Sequence, residues 1–224
     1  SNGVTQLMGD LDNQSGLVFS GQGLSAGVVL NQNGQLLANG GVISIDMPGE
    51  FNNTNGSVIN YGGDVQVSAD AYVNDSGAIV AQQHLSLAIK EDFHDSGMLA
   101  AVEGDMRLHA RSFVLHDAMS AGGQLMFESE RGFELNDGVW LFGGSGVVVS
   151  ANADISNHGV IESLGDVQMN TAADVINEGD IQAEGEVRIS GAQLSQSGQI
   201  MADAGVSVNV TGALINAGTI WSGA

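Results

Sequence analysis

The chain contains no cysteine, which excludes a disulfide framework, a thiolate metal site and a cysteine nucleophile. The same absence suits a chain that must cross an oxidising periplasm unfolded without forming stray bridges. Proline occurs once, at Pro48, against 33 glycines. That balance is far from a proline-rich disordered linker, and an apolar content of 43% is enough to build a core. Basic residues are scarce: 5 Lys and Arg stand against 26 Asp and Glu, a formal charge of −21. Nucleic acid and anionic membrane surfaces would be repelled, so the acidity reads as a solvated surface that keeps an elongated protein soluble. No apolar run reaches the roughly 18 residues of a membrane span, and no cleavable signal opens the sequence. Neither a phosphate loop, a dinucleotide fingerprint, a nucleophile elbow nor an H-E-x-x-H motif is present.

What is present is a repeat. One turn glycine recurs at Gly16, Gly34, Gly56, Gly77, Gly97, Gly138, Gly159, Gly179, Gly198 and Gly218, with a skipped position near Ala118. Each repeat alternates apolar and polar residues over four or five positions and then breaks at Gly, Asn or Asp, the pattern of a short half-buried strand and a turn. Period-two alternation excludes helices. A propeller blade needs about 40 residues, and hairpin sandwiches lack such strict repetition. The fold expected is all-β: one right-handed parallel β-helix of about eleven coils of roughly 20 residues, each coil pairing with the next.

Stacking also assigns the interior. Leu36, Val58, Ile79, Leu99, Trp140, Ile161, Ile181, Ile200 and Ile220 form one inward ladder, with small residues two places on, from Ala38 to Ser222. Pairs such as Val65 and Val67, Leu85 and Leu87, and Val187 and Ile189 form a second. The glycines are expected at turns requiring positive φ, and the asparagines beside them are expected to form amide ladders along the stack.

The repeat N-x-G-x-I-x-A-x-G-x-L-x-L, clearest from Asn157 to Ile220, resembles the haemagglutinin repeats of filamentous-haemagglutinin-like exoproteins, a group that includes contact-dependent growth inhibition effectors. That resemblance implies a secreted protein at the bacterial cell surface, exported by an outer-membrane partner transporter, whose repeats form a stalk for adhesion, biofilm cohesion or toxin presentation. Residues 1–224 then form one β-helix segment of a longer chain, with 1–10 read as an expression remnant at Ser1-Asn2 and a partial leading coil or cap over Gly3 to Leu11. With interior-like coils at both ends, end-to-end self-association is expected.

Residues 84–142 match the grammar poorly and gather most of the basic residues and histidines. The turn asparagine stands three places before the glycine at Asn13, Asn31, Asn53 and Asn74, but two before it at Asn136, Asn157, Asn177 and Asn216. One explanation is a corner that differs by one residue and a core of larger side chains. The other is a partner-binding face, for which Phe93, Arg107, Arg111, Phe113, His116 and Arg131 are the candidates, because interfaces favour arginine and aromatics. The receptor would lie on a bacterial or host cell. His94 and His116 sit at near-equivalent corners, but two imidazoles are not a metal site, and no metal or cofactor is expected.

The rival class is a carbohydrate-active β-helix enzyme, which needs facing carboxylates about 5–10 Å apart or a basic residue beside them. Asp166 and Glu186 stack one coil apart, as acids on a repeat surface will, and Arg188 is the one basic residue near them. The calcium β-roll nonapeptide fails because Gly143-Gly144-Ser145-Gly146 is followed by valines, and five threonines do not make the ranks of an ice-binding helix. The reading is a non-enzymatic stalk or adhesin segment without catalytic residues, with a purely structural spacer as the remaining alternative.

Overall fold

A computed structural model describes residues 5–7, 11–26 and 29–223. The expected remnant at Ser1-Asn2, and most of the leading cap from Gly3 to Leu11, lie outside those residues.

The chain winds as a parallel β-solenoid of eleven coils, each built from three strands. In chain order these belong to sheet 1 (eleven strands, Thr5–Leu7 to Gly205–Val210), the short-stranded sheet 2, and sheet 3 (eleven strands, Leu17–Ser20 to Thr219–Ser222). Sheet 2 is divided into a four-stranded part ending at Ala71–Val73 and a seven-stranded part starting at Phe93–Asp95. We number the coils 1–11, coil 5 spanning 85–101 and coil 7 spanning 124–143.

Every pairing is parallel and in register, so like positions stack. Val65 lies on Leu85, Leu85 on Met106, Met106 on Leu125 and Leu125 on Val147, all fully buried. In sheet 3, Leu36, Val58, Ile79 and Leu99 form the inward ladder, with Ala38, Ala81, Ala101 and Ala202 as its small companions. Burying each such side chain contributes on the order of 2 kcal/mol, and repetition along a rod of roughly 50 Å makes this the dominant stabilising term. Asn60 occupies a small-residue position between Ala38 and Ala81 and is held by Gly41 O at 3.0 Å and Asp64 O at 2.8 Å.

One ladder assignment is corrected. Trp140 pairs with Val160 on the outer surface, and Leu141 is the residue that stacks inward on Ile161. The cause is corner length. Between sheets 2 and 3 the corner spans four residues in coils 1–4 (for example 75–78), three in coils 5 and 6 (96–98, 116–118), five in coil 7 (136–140) and three thereafter (158–160). The two extra residues of coil 7 place Gly138 outside the glycine column, at φ +76°, and give its place to Val139. In coil 6 the missing glycine's place belongs to Asp117 rather than Ala118, because Met119 pairs with Leu99.

The reason for the turn glycines also differs from expectation. In coils 1–4 the positive φ belongs to the residue before each glycine: Ser15, Asn33, Asn55 and Ser76. The glycines are required by stacking, because a Cβ on Gly179 would overlap the Gly159 carbonyl oxygen of the preceding coil. Gly179→Ala, at a position free of positive φ, is therefore expected to cost about 2–3 kcal/mol by forcing two coils apart, read as a lowered urea midpoint.

Candidate functional site

The candidate contact residues divide by which way their strands point them. Phe93 and Phe113 are corrected: both are 1% exposed and belong to the core. They continue a stack of Phe51, Tyr72, Phe93, Phe113 and Phe133 at the inward position of sheet 2, with ring centroids 4.9–6.2 Å apart. Phe127 enters from sheet 1 and meets Phe113 and Phe133 edge-on at 5.3 and 5.0 Å. Three of these five rings, Phe93, Phe113 and Phe133, fill the interior of the irregular coils together with Phe127, so the phenylalanine enrichment there is packing.

Arg107, His116 and Arg131 are exposed and Arg111 is half-buried. They do not converge. Arg107 points out of sheet 1 between Ser86 and Met126. Arg111 and Arg131 lie at the corner between sheets 1 and 2, where Lys90 bridges Asp70 at 2.5 Å. His116 sits at the opposite end of sheet 2, its Nδ1 3.0 Å from Asn136 Nδ2. His94 and His116 do not stack, because the inward pairs Phe93–Phe113 and Asp95–Leu115 set the register and place His94 beside Val114. Among the described residues no group of three His, Cys, Asp or Glu side chains could hold a metal ion.

The most organised polar chemistry is internal. Asn13, Asn31, Asn53 and Asn74 are buried at one corner, each Nδ2 donating to the next Oδ1 at 2.7 Å. A second ladder runs through Asn157, Asn177 and Gln196 at 2.7 and 2.6 Å. Asn136 is not part of it; Leu135 holds that register and Asn136 lies one place beyond. Leu115 and Leu135 close the gap between the ladders, and Asp95 terminates the first.

Asp95 is 1% exposed, and its Oδ1 accepts a 3.3 Å hydrogen bond from Tyr72 Oη. Its Oδ2 and the facing Asn74 Nδ2 have no hydrogen-bond partner. Burial pushes the Asp95 carboxyl up to about 7; the Asn74 amide, Tyr72 hydroxyl and Gly97 N–H oppose the shift, and the charge of Asp117 adds to it. Burial, with the Asp95 charge adding, also raises the Tyr72 phenol well above its ordinary range. The sequence named Asp95, with Asp117, only as the third ligand a metal site at His94 and His116 would require; the signal for its ladder position was its place two residues before Gly97, where later coils carry Asn157 and Asn177.

The stacked carboxylates are occupied. Arg188 donates through Nη1 to Asp166 at 2.6 Å and through Nη2 to Glu186 at 2.5 Å, while the Glu186 N–H bonds Asp166 at 2.9 Å. That backbone bond, followed by Arg188, holds the Asp166 carboxyl below its usual range. The cluster is solvent-exposed, where such pairs contribute little to stability. A shallow groove on the outer surface of sheet 3, lined by Glu162, Gln182, Glu184 and Trp221 among others, brings acids near an aromatic. Within it Glu162 is engaged by Trp140 Nε1 at 3.0 Å.

No curated protein and no solved structure matches the chain. The family model described as haemagglutinin repeat matches residues 6–46, 49–104 and 138–218, passing over the coils where the amide ladder is broken and the corner lengthens. With that model covering most of the sequence, and in-register coils running through the unmatched stretch as well, the chain belongs to the haemagglutinin-repeat family.

Proposed function

We propose that this chain is a non-enzymatic stalk or adhesin segment of a bacterial surface exoprotein, holding a distal binding or toxin region away from the cell. The observation that carries the reading is continuity: sheets 1 and 3 stack in register through all eleven coils and sheet 2 through every step but that from coil 4 to coil 5, with side chains filling the interior. Such a rod transmits position over distance, and family membership agrees with a structural or adhesive role. Export through an outer-membrane partner transporter, display at the cell surface and end-to-end association of coils belong to the same proposal.

The enzyme alternative predicts products from acidic or neutral polysaccharides. Because Arg188 holds Asp166 and Glu186, and Trp140 holds Glu162, we expect neither hydrolysis nor β-elimination across such a panel; turnover abolished by Glu162→Gln would establish an enzyme instead. Binding of the labelled chain to intact Gram-negative bacteria and to animal cells tests the adhesin form. Saturable binding weakened by Arg107→Ala, His116→Ala or Arg131→Ala identifies a receptor-binding segment, and no binding to either leaves a spacer.

A further inference from the structure

An asparagine followed by glycine is chemically labile, because a glycine has no Cβ to shield its backbone nitrogen from the asparagine side chain. Three such pairs lie among the described residues, Asn33-Gly34, Asn39-Gly40 and Asn55-Gly56; a fourth, Asn2-Gly3, lies outside them. The fold treats the three differently. Asn33 and Asn55 stand at the corner between sheets 2 and 3, in the left-handed region at φ 55° and 52°. The glycine after each is buried and its N–H closes the turn, Gly34 onto Asn31 O at 3.0 Å and Gly56 onto Asn53 O at 2.8 Å. Both glycines also press on the preceding coil: a Cβ on either would overlap a carbonyl oxygen there, that of Asn13 or of Asn31.

Asn39-Gly40 lies at the other corner, in the link from Ala38 in sheet 3 to Val42 in sheet 1. Asn39 is exposed, and neither its side chain nor the Gly40 N–H has a protein partner. There is also room. A Cβ on Gly40 would find its nearest atom, Gly21 O, at 4.0 Å, and the following coil places another glycine, Gly62, over the Asn39 carbonyl.

We propose that Asn39 is a site of spontaneous deamidation, converting to aspartate and isoaspartate as the chain ages, while the fold protects Asn33 and Asn55. The Gly40 nitrogen gives up its proton to water and attacks the side-chain carbonyl carbon of Asn39. The carbon–nitrogen bond of the amide breaks, and ammonia leaves. Water then opens the cyclic imide. Opening at the former side-chain carbonyl gives aspartate; opening at the main-chain carbonyl gives isoaspartate, whose backbone runs through the side chain and is one methylene longer. Either product adds a negative charge to a chain already at −21. The longer link falls outside the strands, so the pairings of Gln35–Ala38 and Val42–Asp46 with their neighbours persist.

The test holds the whole folded chain at mildly alkaline pH, samples it over weeks and digests each sample with pepsin, whose acidity halts the reaction. Mass spectrometry of the peptides then reads amide loss at each asparagine. Conversion at Asn39 is expected to be at least about tenfold faster than at Asn33 or Asn55, because a bonded and enclosed glycine N–H must first be released by local opening. In urea, where no turn or coil contact distinguishes the pairs, the three rates should converge. Asn33 or Asn55 converting as fast as Asn39 in the folded chain overturns the proposal. So does an Asn39 that stays intact in the folded chain over the time in which the unfolded chain converts, or an Asn39 that keeps its lead in urea, since local sequence rather than the fold would then set the rate.

Discussion

Phe113→Ala is expected to destabilise the protein by about 3–5 kcal/mol, the largest loss from any single side chain discussed, without touching a partner-binding surface. The ring is 1% exposed and meets Phe93 and Phe127 at 5.3 Å and Phe133 at 6.1 Å, so truncation leaves a void bounded by three other rings that cannot all close on it. In a solenoid each coil contacts its neighbours only, so the loss is local: limited proteolysis should cut first within coils 5–7 while distant coils stay protected. Arg107→Ala, outward on the adjoining strand, should stay within about 0.5 kcal/mol of the parent. Wild-type stability in Phe113→Ala together with lost cell binding would reinstate Phe113 as a contact residue.

Asp95→Asn should act in the opposite direction. An amide at this position still offers an acceptor oxygen to Asn74 Nδ2, as in the ladder steps of 2.7 Å, but stays neutral at every pH and so removes the buried ionisable group. The gain depends on pH with a definite sign. Because the folded-state pKa of about 7 lies above the ordinary carboxylate value, the folded chain holds this proton more tightly than the unfolded chain. Asp95 therefore costs least below about pH 4, and its cost grows as pH rises toward 7, approaching a limit of about 4 kcal/mol for the full shift. Urea midpoints of parent and variant should differ most at pH 8 and converge near pH 4, and taking the difference cancels the other 25 acids. Equal differences at both pH values would show that folding does not raise the Asp95 pKa.

Sheets 1 and 3 were legible in the sequence because their strands are long enough for period-two alternation to declare a face. Val65 with Val67 and Leu85 with Leu87 needed no structure to be placed inside. The strands of sheet 2 have two or three residues, too few to show alternation, so Phe93 and Phe113 carried no sign of direction. Their spacing did carry one: Phe51, Tyr72, Phe93, Phe113 and Phe133 recur at 20 or 21 residues, the period of the repeat itself. Trp140 was misplaced because position was counted from Gly138, and the longer corner of coil 7 had moved that glycine off its column. The turn glycines were recognised as obligatory for the wrong cause, since a clash with the preceding coil leaves no trace in local sequence.

The division of sheet 2 between Tyr72 and Phe93 gives the rod a mechanical weak plane. Elsewhere neighbouring coils are clasped by three strand pairings; coils 4 and 5 are joined by two, with stacked rings at 4.9 Å and a proton-sensitive carboxyl where the third clasp would be. Tension along the axis concentrates at the joint with the fewest bonds in parallel. A shaft built this way yields first at one predetermined coil boundary, and yields more easily in neutral than in acidic surroundings.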